Sequence, residues 1–213
     1  AQNTSIVGGA GGMPETFLTY GVQYSDQKRV GEAESGLISA QPGGTDEKLA
    51  AYLQAEIYTG NWTIIPGVRI ERSELDPDGL NPNFSRGTSN TAVSPKLAVL
   101  YALTDSWNVF GSIAQTERLP TLDEVYDGAS GNLSLDPEEA ITYEAGLSYS
   151  ANDVIRTGDA MVAKLTLFQN DVDNLIERIS TTDTFQNIGE ARIRGIEFEG
   201  AYETERLFGR AFR

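Results

Sequence analysis

The sequence predicts an all-β fold: an antiparallel up-and-down transmembrane β-barrel, of which this chain holds about eight or nine strands. Eight stretches of about ten residues alternate apolar and polar side chains, most clearly at 49–57. A period of two gives a strand one apolar face and one polar face, and about ten residues suffice for a tilted strand to cross a bilayer. The connections alternate between short and long, which is typical of a barrel with turns at one end and loops at the other.

The strands are predicted in chain order at about 16–27, 47–58, 62–74, 93–103, 106–117, 139–149, 160–179 and 185–202, with a ninth beginning near Leu207. The third strand points Val68 to one side and Arg69 to the other. The sixth strand does the same with Leu147 and Glu144. In the eighth strand the apolar phase changes at Gly195, and a glycine at such a change predicts a β-bulge.

The connections give the predicted sheet two different ends. Tight turns lie at 59–61, 104–105 and 203–205, and long polar loops lie at 28–46, 75–92 and 118–138. The connection at 150–159 is of intermediate length, and the one at 180–184 is short. Consecutive antiparallel strands bring every second connection to the same end of a sheet. The three long loops are therefore predicted at one end, and Asn61, Asp105 and Thr204 at the other.

The alternation also assigns the two faces. The apolar face is predicted to contact lipid, with Leu53, Val68, Val99, Val109, Leu147 and Leu165. The polar face is predicted to point inward, with Gln54, Arg69, Lys96, Glu144 and Lys164. Five aromatic residues of the apolar face lie beside short turns, namely Trp62, Tyr101, Trp107, Tyr149 and Tyr202. Aromatic rings at one level suit a membrane–water interface, so they are predicted to form a girdle.

Composition excludes several function classes. The chain has 16 Lys and Arg against 31 Asp and Glu, a net charge of −15, which argues against nucleic-acid binding because that requires clustered cations. It has no cysteine and no histidine, so disulfides, thiolate metal sites, Ser-His-Asp triads and imidazole bases are excluded within it. No enzyme activity, cofactor or metal site is predicted. A soluble β-sandwich that displays its loops for binding or adhesion remains the alternative, because a sandwich also has alternating strands.

Ordered motifs in the second half resemble TonB-dependent outer-membrane receptors. A strand at 109–115 leads into the box ERLPTLDEVY at 117–126, and GNLSLDPE at 131–138 is similar to the family's NPxLxPE segment. The segments YEAGL at 143–147, LFQNDVDNLI at 167–176 and NIGEARIRGIE at 187–197 are similar to three further family motifs. Two family-like strands precede them at 51–56 and 66–70. The ordered set identifies the chain as a member of this family.

The resemblance implies an active importer of the bacterial outer membrane. In this family a barrel of about 22 strands lies in outer-membrane lipid and is closed by a plug domain. An iron complex such as haem or a ferric siderophore, or another bulky nutrient, binds at the outer loops. The TonB energy-coupling complex then displaces the plug. Residues 1–213 are expected to be part of the barrel domain, with the plug and the remaining strands outside them, because no energy-coupling box is present and the sequence stops at Arg213 in mid-strand.

The resemblance leaves the ligand open. The segments at 165–176 and 187–195 look most like haem and haemoprotein receptors, which place a histidine between the two boxes to ligate haem iron. Residues 121–131 contain no histidine, and the first box reads ERLP where the family has FRAP. Haem, a siderophore, a cobalamin and a glycan therefore all remain possible ligands.

Arg118, Tyr126 and Asp127 are the candidate ligand-binding residues, since they lie between the two boxes at the expected outer mouth. Arg118 offers a planar fork for a carboxylate, and Tyr126 offers an aromatic face and a phenolate that can reach iron. The other interpretation is that Arg118 pairs with Asp123 or Glu124 and Tyr126 packs under the loop. The residues predicted to face the lumen or a plug are Arg69, Glu144, Arg192, Arg194 and Glu197.

Overall fold

The computed structural model shows one antiparallel sheet of nine strands in the order of the chain. It describes residues 1–8, 14–30, 43–79, 84–126 and 131–204, and the backbone of 206–207 and 210–211. The strands are β1 Gln2–Val7, β2 Glu15–Arg29, β3 Gly44–Thr59, β4 Trp62–Pro77, β5 Thr88–Ala102, β6 Trp107–Arg118, β7 Glu138–Asn152, β8 Ala160–Ile179 and β9 Thr184–Glu203. A single short helix, α1 Leu122–Tyr126, lies between β6 and β7.

All eight predicted strands are present, with ends within about five residues of those predicted. The ninth, predicted near Leu207, is instead a two-residue pairing of β10 Arg206–Leu207 with β11 Arg210–Ala211. Strand β1 is not indicated by the sequence pattern, because Gln2–Val7 is mostly polar and shows no apolar alternation. Backbone pairing with β2 forms this strand, and the amino terminus extends it by donating to the Val22 carbonyl at 2.8 Å.

The meander places the connections as predicted. At one end of the sheet, the strands are joined by residues 60–61, 103–106 and 153–159. Thr204, after the end of β9, lies at the same end. At the other end lie the described residues of the three long connections, namely 30 and 43, 78–79 and 84–87, and 119–126 and 131–137, together with the four-residue connection 180–183. In barrels of the outer membrane, short turns face the periplasm and long loops face outward. We call these the turn end and the loop end.

The sheet is open, with β1 and β9 as its edges in the described part of the chain. Apart from the short β10–β11 pair, no second sheet is present among the described residues. The β-sandwich alternative is therefore wrong, because a sandwich needs a second layer to cover its apolar face. No helix in the described ranges is long and apolar enough to span a membrane.

The two faces of the sheet have opposite burial. Cross-strand pairing puts the six residues predicted to face lipid on one side, where Leu53, Leu147 and Leu165 are each 40–46% exposed. The polar side carries the buried strand residues, including Ala50 and Ser73 at 2–3% exposure. A water-soluble sheet would bury its apolar face, so an exposed apolar face fits contact with lipid.

The aromatic residues at the turn end form cross-strand pairs on the apolar face. The ring centroids of Trp62 and Tyr101 are 4.5 Å apart, and those of Trp107 and Tyr149 are 4.8 Å apart. From Tyr149 to Ile141 the apolar residues of β7 span eight steps, about 26 Å along the strand. This length matches a hydrocarbon layer crossed at a tilt, and the strands continue beyond it toward the loop end.

The bulge predicted at Gly195 is wrong. The pairing of β8 with β9 is regular there, and its register shifts lie between Val172 and Ile176. Gly195 lies opposite Phe168, and a Cβ at this glycine would come within 2.5 Å of the Phe168 ring. The glycine therefore makes room for an aromatic ring on the neighbouring strand. The apparent change of phase arises because Ile193 lies on the polar side and Ile196 on the apolar side of a regularly paired strand.

Candidate functional site: the loop end and the concave face

The segment after β6 begins α1 with a capping box. The Oγ1 of Thr121 accepts a hydrogen bond from the Glu124 backbone N–H at 3.4 Å, and the Glu124 carboxylate accepts one from the Thr121 N–H at 2.8 Å. Such reciprocal bonds satisfy N–H groups that a helix start leaves unpaired. Asp123 and Glu124 also lie in the first turn, where the helix dipole favours acidic residues. The Thr-x-x-Glu spacing is the sequence signal that indicates this helix, which was not among the predicted elements.

Helix α1 packs on the polar side of the sheet and forms an apolar cluster at the loop end. Leu122, Val125 and Tyr126 supply the helix side of this cluster. The other members come from strands and loops that are distant in sequence, namely Leu75, Phe84, Leu135 and Ile176, with Phe185 packed against them. All seven main members are at most 7% exposed. We call this set the loop-end cluster.

Tyr126 is the centre of the loop-end cluster and has no exposed surface. Its hydroxyl donates to the carbonyls of Leu75 and Arg86, both at 3.0 Å, and its ring lies 5.7 Å from that of Phe84 in an edge-to-face contact. Burial, followed by the charge of Asp76, raises the pKa of Tyr126 to about 12. A buried neutral phenol with both acceptors in place is not a metal ligand in this conformation.

Arg118 holds α1 to the start of β7. Its guanidinium makes a two-point contact with Glu124 at 3.0 Å for both bonds, and its Nε donates to Glu138 at 2.6 Å. The second Glu138 oxygen accepts the Ile176 backbone N–H at 2.8 Å. The hydrogen bond from Arg118 outweighs partial burial and holds the pKa of Glu138 below its usual value, with the Ile176 N–H helping.

Further polar contacts join the loop end across the sheet. Arg29, at the end of β2, pairs with Asp123 of α1. Asn187 on β9 donates to the carbonyls of Asp136 and Asn174 at 2.9 and 2.8 Å, and its Oδ1 accepts the Asp136 N–H at 3.0 Å. These contacts tie the loop between β6 and β7 to strands on both sides of it.

Below the loop end, the concave polar face forms an open cavity of about 390 Å³. Its polar lining comes from β3 to β6 and includes Gln54, Arg69, Glu71, Ser94, Lys96 and Thr116. Arg69 pairs with Glu71, and farther round the sheet Lys164 lies 5.0 Å from the Phe110 ring centroid. This lining can accommodate water and polar groups, and it suits the inside of a barrel. No group of three or more candidate metal ligands occurs among the described residues.

The family model for the TonB dependent receptor-like β-barrel matches residues 2–213. The chain belongs to this family. Proteins of the TonB-dependent receptor family lie in the outer membrane of Gram-negative bacteria, and the exposed apolar face of this sheet is the surface that meets the lipid.

Similar proteins span a range of ligands. The chain is 28% identical over 169 residues to the vitamin B12 transporter BtuB of Photobacterium profundum, covering 76% of this chain and 25% of BtuB. The Serratia marcescens hemophore receptor HasR, solved with its hemophore HasA and heme, has a TM-score of 0.80 at 21% identity over 96% of this chain and 39% of that one. The FrpB iron transporter of Neisseria meningitidis has a TM-score of 0.71 at 17% identity, over 95% and 32%. The chain thus spans about a quarter of the BtuB length.

Within this TonB-dependent receptor barrel, the predicted lumen residues fall on two faces. Arg69, Glu144 and Glu197 lie on the polar, concave face. The prediction is wrong for Arg192 and Arg194, because they share the register parity of Ile196 and pair opposite Asp171 and Gln169 on the apolar side. Arg192 forms an ion pair with Asp171. Their position beyond the apolar stretch of β9 explains how two charges fit on this face.

The candidate ligand-binding residues are engaged in the fold. Arg118 binds Glu124 and Glu138, and Tyr126 is enclosed by the loop-end cluster. These contacts match the alternative interpretation of both residues, with Glu138 as a partner that the sequence had not indicated. Asp127 lies outside the described residues.

Proposed function

We propose that residues 1–213 form part of the barrel domain of a TonB-dependent receptor that imports an iron complex, haem or ferric siderophore, or a similar bulky nutrient across the outer membrane. The plug domain and the remaining strands belong to the rest of the receptor in this proposal. The observation that carries this proposal is how the sheet distributes apolar and polar side chains between its two faces. Its apolar face is exposed, and its polar face carries an open cavity of about 390 Å³ lined in part by charged and polar side chains.

The range of similar proteins supports a nutrient carried as a bulky complex. Their names specify vitamin B12, heme with its hemophore, and iron. We propose that the chain contacts the organic part of such a complex through polar side chains.

The test is uptake by the full-length receptor in a strain that lacks its own receptors for these nutrients. We expect growth on one of haem, a ferric siderophore or cobalamin as the only source, and loss of that growth when TonB is deleted. Growth on none of the three would contradict the proposed substrate class. Growth that persists without TonB would contradict energy coupling.

The ligand role of Arg118 and Tyr126 can be separated from their structural role. We propose that they position α1 at the outer mouth and that ligand contacts come from neighbouring loops. Tyr126→Phe keeps the ring and removes the hydroxyl, so uptake and receptor abundance are expected to fall together and slightly. Lost uptake at unchanged abundance, in this variant or in Arg118→Ala, would show direct ligand contact. Asp127→Ala tests the neighbouring candidate residue by the same measurements of uptake and abundance.

A further inference from the structure

The turn Asp153–Asp159 at the turn end is built around a buried carboxylate. Asp159 is 1% exposed and accepts backbone N–H groups from Val154, Ile155 and Arg156 at 2.7, 3.0 and 2.8 Å. It also accepts the Tyr202 hydroxyl at 2.7 Å. A carboxylate removed from water is costly unless donors replace its hydration, and these four donors do so. The turn therefore has a fixed conformation.

The same turn leaves apolar side chains uncovered. Ile155 is 69% exposed and Val154 is 38% exposed, although their backbone N–H groups are held by Asp159. In the adjacent turn, Leu103 is 51% exposed. The Ser150 N–H near the end of β7 donates to the Ser106 carbonyl of that turn at 2.9 Å, so the strand that leads into Asp153–Asp159 is held beside it. Two neighbouring turns thus present apolar residues where water-facing turns are usually polar.

The turn lies on the lipid side of the sheet. Tyr202 is on the apolar face, because it shares the register parity of Phe198, which pairs with Leu165. Asp159 has the same parity as Met161 and Leu165 and binds the Tyr202 hydroxyl. Since the backbone of 154–156 reaches this carboxylate, the segment folds over the apolar side just beyond the aromatic girdle. It continues the surface that meets the lipid.

We propose that the turn Asp153–Asp159 is an interfacial anchor that inserts Val154 and Ile155 into the headgroup region of the periplasmic leaflet. Amphipathic segments bind there by burying apolar side chains at the boundary of headgroups and acyl chains. Leu103 extends the anchor on the neighbouring turn, and Asp159 positions it. This role goes beyond nutrient import and does not depend on the nutrient.

The test uses the full-length receptor in vesicles of phosphatidylethanolamine and phosphatidylglycerol. A single cysteine at Ile155→Cys carries an environment-sensitive fluorophore, and Asp105→Cys, at the polar tip of the adjacent turn, is the matched control. We expect the label at 155 to emit at shorter wavelength and to be quenched by lipids with a nitroxide at the headgroup. The label at 105 should be quenched mainly by a water-soluble quencher.

The proposal would be overturned if the water-soluble quencher acted equally on both labels. It would also be overturned if neither quencher reached the label at 155, which would indicate a protein partner. A second variant adds Asp159→Asn to Ile155→Cys. Because an amide offers one acceptor oxygen in place of two, we expect the turn to loosen and lipid quenching to fall. Unchanged quenching would overturn the role of Asp159. The measurement on Ile155→Cys alone keeps Asp159, so it holds even if the Asp159→Asn variant assembles poorly.

Discussion

Apolar side chains have opposite environments at the loop end and in the apolar band of the same sheet. At the loop end, Leu75, Val125 and Tyr126 are at most 2% exposed beneath α1. In the band, Leu147 and Leu165 remain at least 40% exposed. The loop end projects into water and must enclose its apolar groups, whereas lipid surrounds the band and covers its apolar face. Where the chain buries its own apolar side chains, it projects into water, and where it leaves them exposed, lipid covers them.

The two regions also differ in what stabilises them. Each apolar side chain enclosed in the loop-end cluster contributes about 1.5–3 kcal/mol. The partly exposed ion pairs of Arg118 contribute about 1 kcal/mol or less each. Burial therefore holds α1 in place, and the ion pairs set its orientation. In the band, stability comes from backbone pairing and from lipid contact, so a charge has a large effect there.

Removing the centre of the loop-end cluster should give the largest effect. Tyr126→Ala deletes a fully buried ring and the two hydrogen bonds of its hydroxyl. We expect a loss of about 3–5 kcal/mol in the stability of the loop end. Limited proteolysis of the full-length receptor at increasing denaturant would measure it. Tyr126→Phe is the control and should cost about 1 kcal/mol. Similar protease resistance for Tyr126→Ala and the unchanged protein would show that burial does not hold this end.

A charge in the apolar band should come next. Leu147→Arg places a cation on the exposed apolar face of β7, which costs about 2–4 kcal/mol near the bilayer midplane. We expect little of this variant in the outer-membrane fraction. Ser148→Arg, the adjacent residue on the polar face, should assemble much better. Equal assembly of the two variants would break the assignment of the faces.

A smaller effect should follow from filling a glycine that an aromatic ring covers. A Cβ at Gly195 would lie 2.5 Å from Phe168, so Gly195→Ala must displace the ring and should cost about 1–3 kcal/mol. At Gly111 the nearest atom to a Cβ is 3.6 Å away. Gly111→Ala should therefore be tolerated. The two full-length variants can be compared by the temperature at which each loses its heat-modifiable mobility on a gel. Equal temperatures would contradict the packing role of Phe168.

The smallest effect should be a pH dependence at the loop end. The pKa of Glu138 is lowered in the fold from its usual value of 4.5. Its contribution is therefore fully present above that value and is lost as pH falls through the lowered pKa. We expect the protease resistance of the loop end to decrease in this acidic range. Glu138→Gln should reduce resistance at pH 7, by about 1 kcal/mol, and reduce this pH dependence. An unchanged acid profile in Glu138→Gln would exclude Glu138 as its source.

Much of the fold was readable from the sequence because the signal is local. A period of two along each strand requires only neighbouring residues, and it correctly indicated eight strands, both faces and the two ends. The pattern failed where local residues carry no apolar alternation, as in β1. It also failed at Gly195, where the apolar residues change from one face of β9 to the other although the pairing stays regular. It also misplaced Arg192 and Arg194, because a charge indicates a polar environment but not which side of the sheet provides it.

The sequence by itself determined that this chain is a set of membrane-spanning strands from a TonB-dependent receptor, since alternation and ordered motifs are properties of the chain. Only the tertiary structure decided which contacts the residues between the two boxes make. Tyr126 bonds to a carbonyl 51 residues away, and Arg29 pairs with Asp123 across 94 residues. Such contacts depend on how the loops fold back over the sheet. Arg118 and Tyr126 therefore read as ligand-binding candidates in the sequence and as supports of α1 in the structure.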